Sequence, residues 1–433
     1  MTVFLDDFRE DEAYAQELEA RDPVASRRTE FCVPPMPGDP GREAIYMCGN
    51  SLGLMPRRTT PAVQAFLEDW GRFGVEGHFE ARDSWYDYHE ALRAPVARVV
   101  GALPHEVVVM NTLTVNLHLL MTSFYRPAGE RRCILIDGPC FPSDVYAVKS
   151  QLRLHGVDPD EGLLWARPRE GERHIRAEDV EDLLAREGAR IALVLFAAVN
   201  YYSGQRYEMK RITDAARRAG CMVGWDCAHG FGNVPLNLHE VGADFAAWCH
   251  YKYGNAGAGA IAGAFVHERW VRGLDADAYA ALPRCEGWWG NDPATRFRMG
   301  PDFTPVRSAD AWSLSNPPIL SMIPVKCSLG LFDEVGIEAL RERSVRLTGY
   351  LERLLAQVRD KGVEIITTSD AAARGCQLSL VVPGGRAAFE RLQSGGVMCD
   401  FREPDVIRVA PTPLYNTYAD CRRFVGALRD ALV

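Results

Sequence analysis

The sequence predicts an α/β protein whose mostly parallel central sheet is followed by a smaller α+β domain. Short, almost wholly apolar runs alternate with helical patterns from Tyr46 to about Asp244. One pair of runs brackets a helix that stops at a glycine, and beyond about Ile319 the texture changes to a long helical pattern and then short strands.

Residues 1 to about 32 read as an amphipathic helical arm, and the Pro/Gly-rich stretch 34–41 reads as a linker. Arg132-Cys133-Ile134-Leu135-Ile136 and Ile191-Ala192-Leu193-Val194-Leu195-Phe196 suit strands buried on both faces, because neither alternates with polar residues. After the second comes a turn, a helix over Glu208 to Ala219 ended by Gly220, and another apolar run, Cys221 to Trp225. That is a βαβ unit, hence parallel pairing. Further on, Leu347, Leu351, Leu354, Leu355 and Val358 recur at helical spacing, Gly362 ends the run, and strands are expected at Val363 to Ile366 and Cys376 to Val382. The expected division is an arm and linker over 1–45 packing on the small domain, a large domain over 46–318, and a small α+β domain over 319–433.

Composition narrows the function. The 433 residues are 47% hydrophobic and 25% charged, as in ordinary soluble enzymes, and the net charge of −9 argues against nucleic-acid binding. Twelve cysteines are dispersed without any Cys-x-x-Cys, which reads as reduced thiols in the cytosol rather than a disulfide scaffold or a zinc site. The acidic start, Met1 to Glu10, lacks the regions of a signal peptide, and no stretch suits a bilayer span. A cytoplasmic enzyme with no membrane partner is expected.

Two residues carry most of the chemistry. Asp226 closes one apolar run, and Lys252 follows another 26 residues later, so both emerge where buried strands meet loops. Open α/β sheets place ligands there. An acid that can pair with a pyridine nitrogen, together with a lysine amine that can bond an aldehyde, is the minimum equipment for pyridoxal phosphate chemistry. Either residue alone is better read as an ordinary surface lysine or a capping aspartate.

Other segments fit the same reading. Asn111-Thr112-Leu113-Thr114 precedes an apolar helix, where Leu113 and Thr114 suit a phosphate as well as a plain cap. Phe141-Pro142-Ser143-Asp144 starts a helix and offers an aromatic face for a planar ring, or simply fills the core. Gly257 to Gly263 imitates a dinucleotide fingerprint but leads into a strand, and reads as a turn that lets backbone approach Lys252. Asp226 and His229 share a helix-like spacing without further metal ligands, so no metal is expected. Arg408, between apolar neighbours on a strand, needs an anion, either a substrate carboxylate or a structural partner.

Taken in order, these motifs resemble the kynureninase family of fold-type I pyridoxal phosphate enzymes, which is aminotransferase class V-like. The resemblance covers nearly the whole chain, from Tyr46-Met47-Cys48-Gly49-Asn50-Ser51-Leu52-Gly53 to Arg408-Val409-Ala410-Pro411-Thr412-Pro413-Leu414-Tyr415-Asn416. It runs through Leu113-Thr114-Val115-Asn116-Leu117-His118, Phe141-Pro142-Ser143-Asp144, Asp226-Cys227-Ala228-His229, Tyr251-Lys252-Tyr253, Gly287-Trp288-Trp289-Gly290 and Asn316-Pro317-Pro318.

The resemblance implies a mostly parallel seven-stranded sheet and hydrolysis of the Cβ–Cγ bond of kynurenine or 3-hydroxykynurenine in tryptophan catabolism. It implies Lys252, Tyr251 and Asp226 as catalytic residues. Leu113, Thr114, Phe141, Pro142, Ser143, Asp144, Asp226, His229, Tyr251 and Lys252 are expected around the cofactor, joined by Trp288 and Asn316 from the other subunit of a homodimer. The implied substrate pocket is Ser51, His78, Ser315, Asn316 and Arg408, and the His78–Asn316 pair suggests a preference for 3-hydroxykynurenine. One departure is Ala197, where the family often carries a hydroxyl. Alternatives are another fold-type I enzyme, such as an aminotransferase or a cysteine desulfurase, and a catalytically silent binding protein that keeps the fold.

Overall fold

The computed structural model describes residues 8–432; the part of the predicted arm over 1–7 lies outside the described residues. The central sheet is built from β1 (Val107–Val109), β2 (Cys133–Asp137), β3 (Leu163–Ala166), β4 (Ile191–Ala197), β5 (Met222–Asp226), β6 (Phe245–Trp248) and β7 (Gly263–Val266). Its order is β1-β7-β6-β5-β4-β2-β3, and only β7 runs against the rest. The βαβ unit read from the sequence is present: Val194 of β4 pairs in parallel with Val223 of β5, and the helix Met209–Arg218 joins them. Nearly every residue of β2, β4, β5 and β6 is buried because helices cover both faces, which explains the lack of alternation.

A second sheet contains β8 (Glu364–Ile365), β9 (Leu378–Val381), β10 (Asp400–Arg402) and β11 (Val406–Val409), all paired antiparallel in the order β8-β9-β11-β10. The long helix Ile337–Leu354 and the last helix, Tyr418–Ala431, pack with it around Leu347, Leu351, Phe424 and Leu428.

The arm is helical only over Glu12–Arg21. It does not run to residue 32, because Pro23 disfavours helix at Asp22, which is extended (φ −66°, ψ 123°). This helix is tied to the last helix by the Tyr418 hydroxyl, which donates to Asp22 at 2.7 Å, and to the helix Ile337–Leu354 by ion pairs, Arg346 to Asp22 and Arg343 to Glu19, both 2.6 Å. The Pro/Gly stretch is a small hairpin, Pro35–Met36 against Asp39–Glu43, turning at Gly38 with φ 79°.

Among the described residues no helix is long and apolar enough to cross a membrane.

Candidate active site

The C-terminal ends of β2, β4, β5 and β6 open into one cleft of about 190 Å³. Asp137 and Asp226 are the last residues of β2 and β5, Ala197 ends β4, and Lys252 follows β6 by four residues. Two helix starts complete the rim. Leu113 begins the helix Leu113–Phe124, and Pro142 begins Pro142–Leu154 after Phe141.

Among the described residues no side chain caps the first helix, whose leading residues Leu113 and Thr114 line the cleft. Beside them, the hydroxyls of Thr114 and Ser143 lie 3.0 Å apart. Together they make a seat for an anionic group at a helix N-terminus.

The opposite wall is acidic and buried. Asp226, 6% exposed, accepts from the Ala228 amide at 2.7 Å. Burial, then the charge of Asp226 and a hydrogen bond to it, hold Asp144 well above the carboxylate range, which favours its protonated form. Burial also pushes Asp137 up to about 6, against the bonds it accepts from the Ala197 amide, Asn200 and Tyr207.

Lys252 Nζ lies 3.1 Å from His229 Nε2 and 5.8 Å from the centre of the Phe141 ring. Burial, then the Lys252 charge, drives His229 well below its ordinary value and keeps it neutral. Burial likewise raises Tyr251, which keeps its phenolic proton. The close backbone approach to the lysine comes from Gly53, where a Cβ would stand 2.3 Å from the Lys252 carbonyl oxygen. Gly257 and Gly259, assigned that task from the sequence, take positive φ in an open turn where a Cβ would meet nothing within 4 Å.

The residues fit pyridoxal phosphate. His229 Nδ1 and one oxygen of Asp144 are buried without a hydrogen-bond partner. An acid, a neutral imidazole, an aromatic face, an uncapped helix start and a lysine amine are the complements of that cofactor's ring, phosphate and aldehyde.

Of the residues read from the sequence, Leu113, Thr114, Phe141, Ser143, Asp144, Asp226, His229, Tyr251 and Lys252 line this cleft. Pro142 opens its helix without lining it. Thr112, Asp137, Ala197, Val199, Asn200, Tyr201 and Ala228 also line it and were not assigned there, although Asp137 ends an apolar strand as Asp226 does. Ala197 contributes a wall and a backbone amide bonded to Asp137.

The other expected residues stand apart. Ser51 is half-buried in a turn, and His78 packs edge-on to Trp85 at 5.6 Å. Trp288, Ser315 and Asn316 are exposed. Arg408, 1% exposed, donates to Asp400 and to the carbonyl of Tyr201, whose side chain lines the cleft.

The aminotransferase class-V family matches residues 45–300, and the kynureninase C-terminal domain family matches residues 340–428. A kynureninase of Salinispora tropica is 54% identical over 97% of each chain, and one of Koribacter versatilis is 51% identical over 96% of each. In structure, a C-DES mutant with glycine covalently linked to its PLP cofactor superposes with a TM-score of 0.76 at 18% identity, covering 93% of this chain and 99% of that one. A cysteine desulfurase of Thermococcus onnurineus gives 0.70 at 17%, covering 89% and 94%. At that identity the structural likeness shows the fold alone, that of the pyridoxal phosphate enzymes.

Proposed function

The chain belongs to the kynureninase family, and from that premise we propose how its own residues hydrolyse the Cβ–Cγ bond of L-kynurenine or 3-hydroxy-L-kynurenine to an anthranilate and L-alanine. The observation that carries the reading is the convergence of Lys252, His229, Asp226 and Asp144 on one cleft beside an uncapped helix start. When bound, pyridoxal phosphate supplies an electrophilic aldehyde and a ring that withdraws electrons from the bonds around the amino-acid α-carbon.

Asp226 would hold the proton on the ring nitrogen of the bound cofactor, and a protonated Asp144 would keep a second negative charge from competing with it. Phe141 would cover the ring, and Leu113, Thr114 and Ser143 would seat the phosphate. Lys252 would hold the cofactor through its aldehyde, and its amine would move the substrate's Cα proton. His229 is neutral and so does not add a second cation beside Lys252. Tyr251, protonated at rest, would donate at the substrate carbons and regain its proton from the water that adds to the side-chain ketone.

Ser51, His78, Ser315 and Asn316 are proposed to meet the substrate, with Arg408 on its carboxylate. Trp288 and Asn316 serve the neighbouring site of a homodimer, which accounts for their exposure in a single chain. The His78–Asn316 pair favours 3-hydroxykynurenine; a higher kcat/KM for the unhydroxylated substrate would remove that preference. The proposed organisation is an arm and linker over 1–45, a cofactor domain over 46–318 and a small domain over 319–433, in a cytoplasmic enzyme.

Lys252→Ala tests the assignment. It should abolish turnover and the visible absorbance of the lysine-bound cofactor; substantial turnover in that variant would end it.

A further inference from the structure

At the end of the sheet opposite the cleft, three segments bring two imidazoles to one buried carboxylate. Glu106 ends the short turn of helix Pro104–Glu106 ahead of β1, His267 follows β7, and His239 lies in Leu238–Val241. Val266 pairs with Phe245, the first residue of β6, so the cluster and Lys252 lie at opposite ends of that strand.

Glu106 is fully buried. His239 Nδ1 is 3.0 Å from its Oε1 and 3.1 Å from its Oε2, and His267 Nδ1 is 3.8 Å from Oε1. Ligand atoms of all three residues fall within 4.8 Å of one another. Two ligand atoms bound at about 2.1 Å to a tetrahedral ion stand about 3.4 Å apart, and the two separations to Oε1 bracket that value.

The remaining contacts are compatible with a ligand set. Glu106 accepts from the Leu103 amide at Oε2 and the Glu268 amide at Oε1, both 2.8 Å, which fix the carboxylate and leave each oxygen a second lone pair. His267 Nδ1 accepts from the Arg269 amide at 3.2 Å, so its lone pair is on the nitrogen that faces Glu106, and an ion bound there would replace this long cap bond. The two rings stack at 5.2 Å with 21° between their planes. His239 keeps a third of its side chain exposed, which gives an ion a path and a place for water.

We propose that Glu106, His239 and His267 form a second, non-catalytic site for a divalent cation of the zinc class, with water completing the coordination. The ion would tie together the three segments at this edge of the sheet. Binding leaves His239 a neutral imidazole, its hydrogen moving to Nε2 as Nδ1 becomes a ligand. Two imidazoles and one carboxylate suit zinc better than calcium or magnesium, which take oxygen ligands.

The test uses the cofactor-loaded protein, zinc alone and pH 7. The structure predicts one equivalent of zinc per chain. It also predicts affinity at least about tenfold weaker in His239→Gln and in His267→Gln, with cofactor absorbance unchanged in both variants. Cobalt in place of zinc should give the visible band of a tetrahedral nitrogen–oxygen site in the wild type only. Equal zinc binding in wild type and both variants would assign the metal to the free thiols, and no stoichiometric zinc in the wild type would also overturn the proposal.

Discussion

Arg408 donates to Asp400 through two parallel bonds, Nη2 to Oδ2 at 2.7 Å and Nε to Oδ1 at 3.2 Å. A third bond, Nη1 to the Tyr201 carbonyl at 2.7 Å, aims the same guanidinium toward the loop that lines the cleft. The pair is almost wholly buried, so breaking it leaves an uncompensated charge. Asp400→Asn is therefore expected to lower stability by about 3 kcal/mol in urea unfolding. Arg408→Lys keeps the charge but cannot span both partners, and should raise KM for the substrate by about a hundredfold with a smaller change in kcat.

Asp144 and Asp226 are expected to respond differently to amide replacement. Asp144 already carries a proton, so Asn at 144 imitates the native form and should keep kcat within about tenfold. Asp226→Asn removes the group proposed to hold the ring-nitrogen proton and should lower kcat by about a hundredfold or more. Steady-state rates at saturating cofactor separate the two.

Much of this site was legible in the sequence because each residue marks the end of an element. Asp226 and Lys252 follow apolar runs, and Leu113 and Phe141 precede helices, so burial and capping patterns locate them. Asn200 and Tyr201 carry no such mark. Asn200 reaches the cleft because β2 and β4 are neighbours in the sheet, which lets its side chain bond Asp137 and the Pro139 carbonyl. Nothing local predicts that pairing. The arm was overextended because its polar pattern continues past Asp22, while Pro23 acts on the backbone. Arg408 was read as needing an anion, and the anion it meets in this chain is Asp400, eight residues earlier on the neighbouring strand.

His250 should make stability depend on pH. It is buried, takes the Trp248 indole N–H at Nε2 (2.9 Å), and points Nδ1 at the Ile261 carbonyl (2.7 Å), so only the neutral ring fits both. Burial lowers it from 6.5 to about 4. Between those values the unfolded chain binds more protons than the folded one, so the contribution is complete above pH 6.5 and is lost as pH falls toward 4. Its full size is about 3 kcal/mol. His250→Gln should be less stable at pH 7 but lose less on acidification, read as the difference in Tm between pH 7 and pH 5.

The proposed sharing of sites between two subunits predicts complementation. A preparation of Lys252→Ala mixed and refolded with Trp288→Ala should regain activity, because one of the two sites in a mixed dimer would draw its lysine and its tryptophan from intact chains. Separate preparations should stay nearly inactive, and no recovery on mixing would place Trp288 outside the neighbouring site.

The central claim is met most directly by adding L-kynurenine and, separately, 3-hydroxy-L-kynurenine to the cofactor-loaded protein while following anthranilate fluorescence, 3-hydroxyanthranilate and alanine together. Equal amounts of the aromatic acid and alanine, absent with Lys252→Ala, are the expected result. Alanine or keto acid without the matching anthranilate, or no product from either substrate, would contradict it.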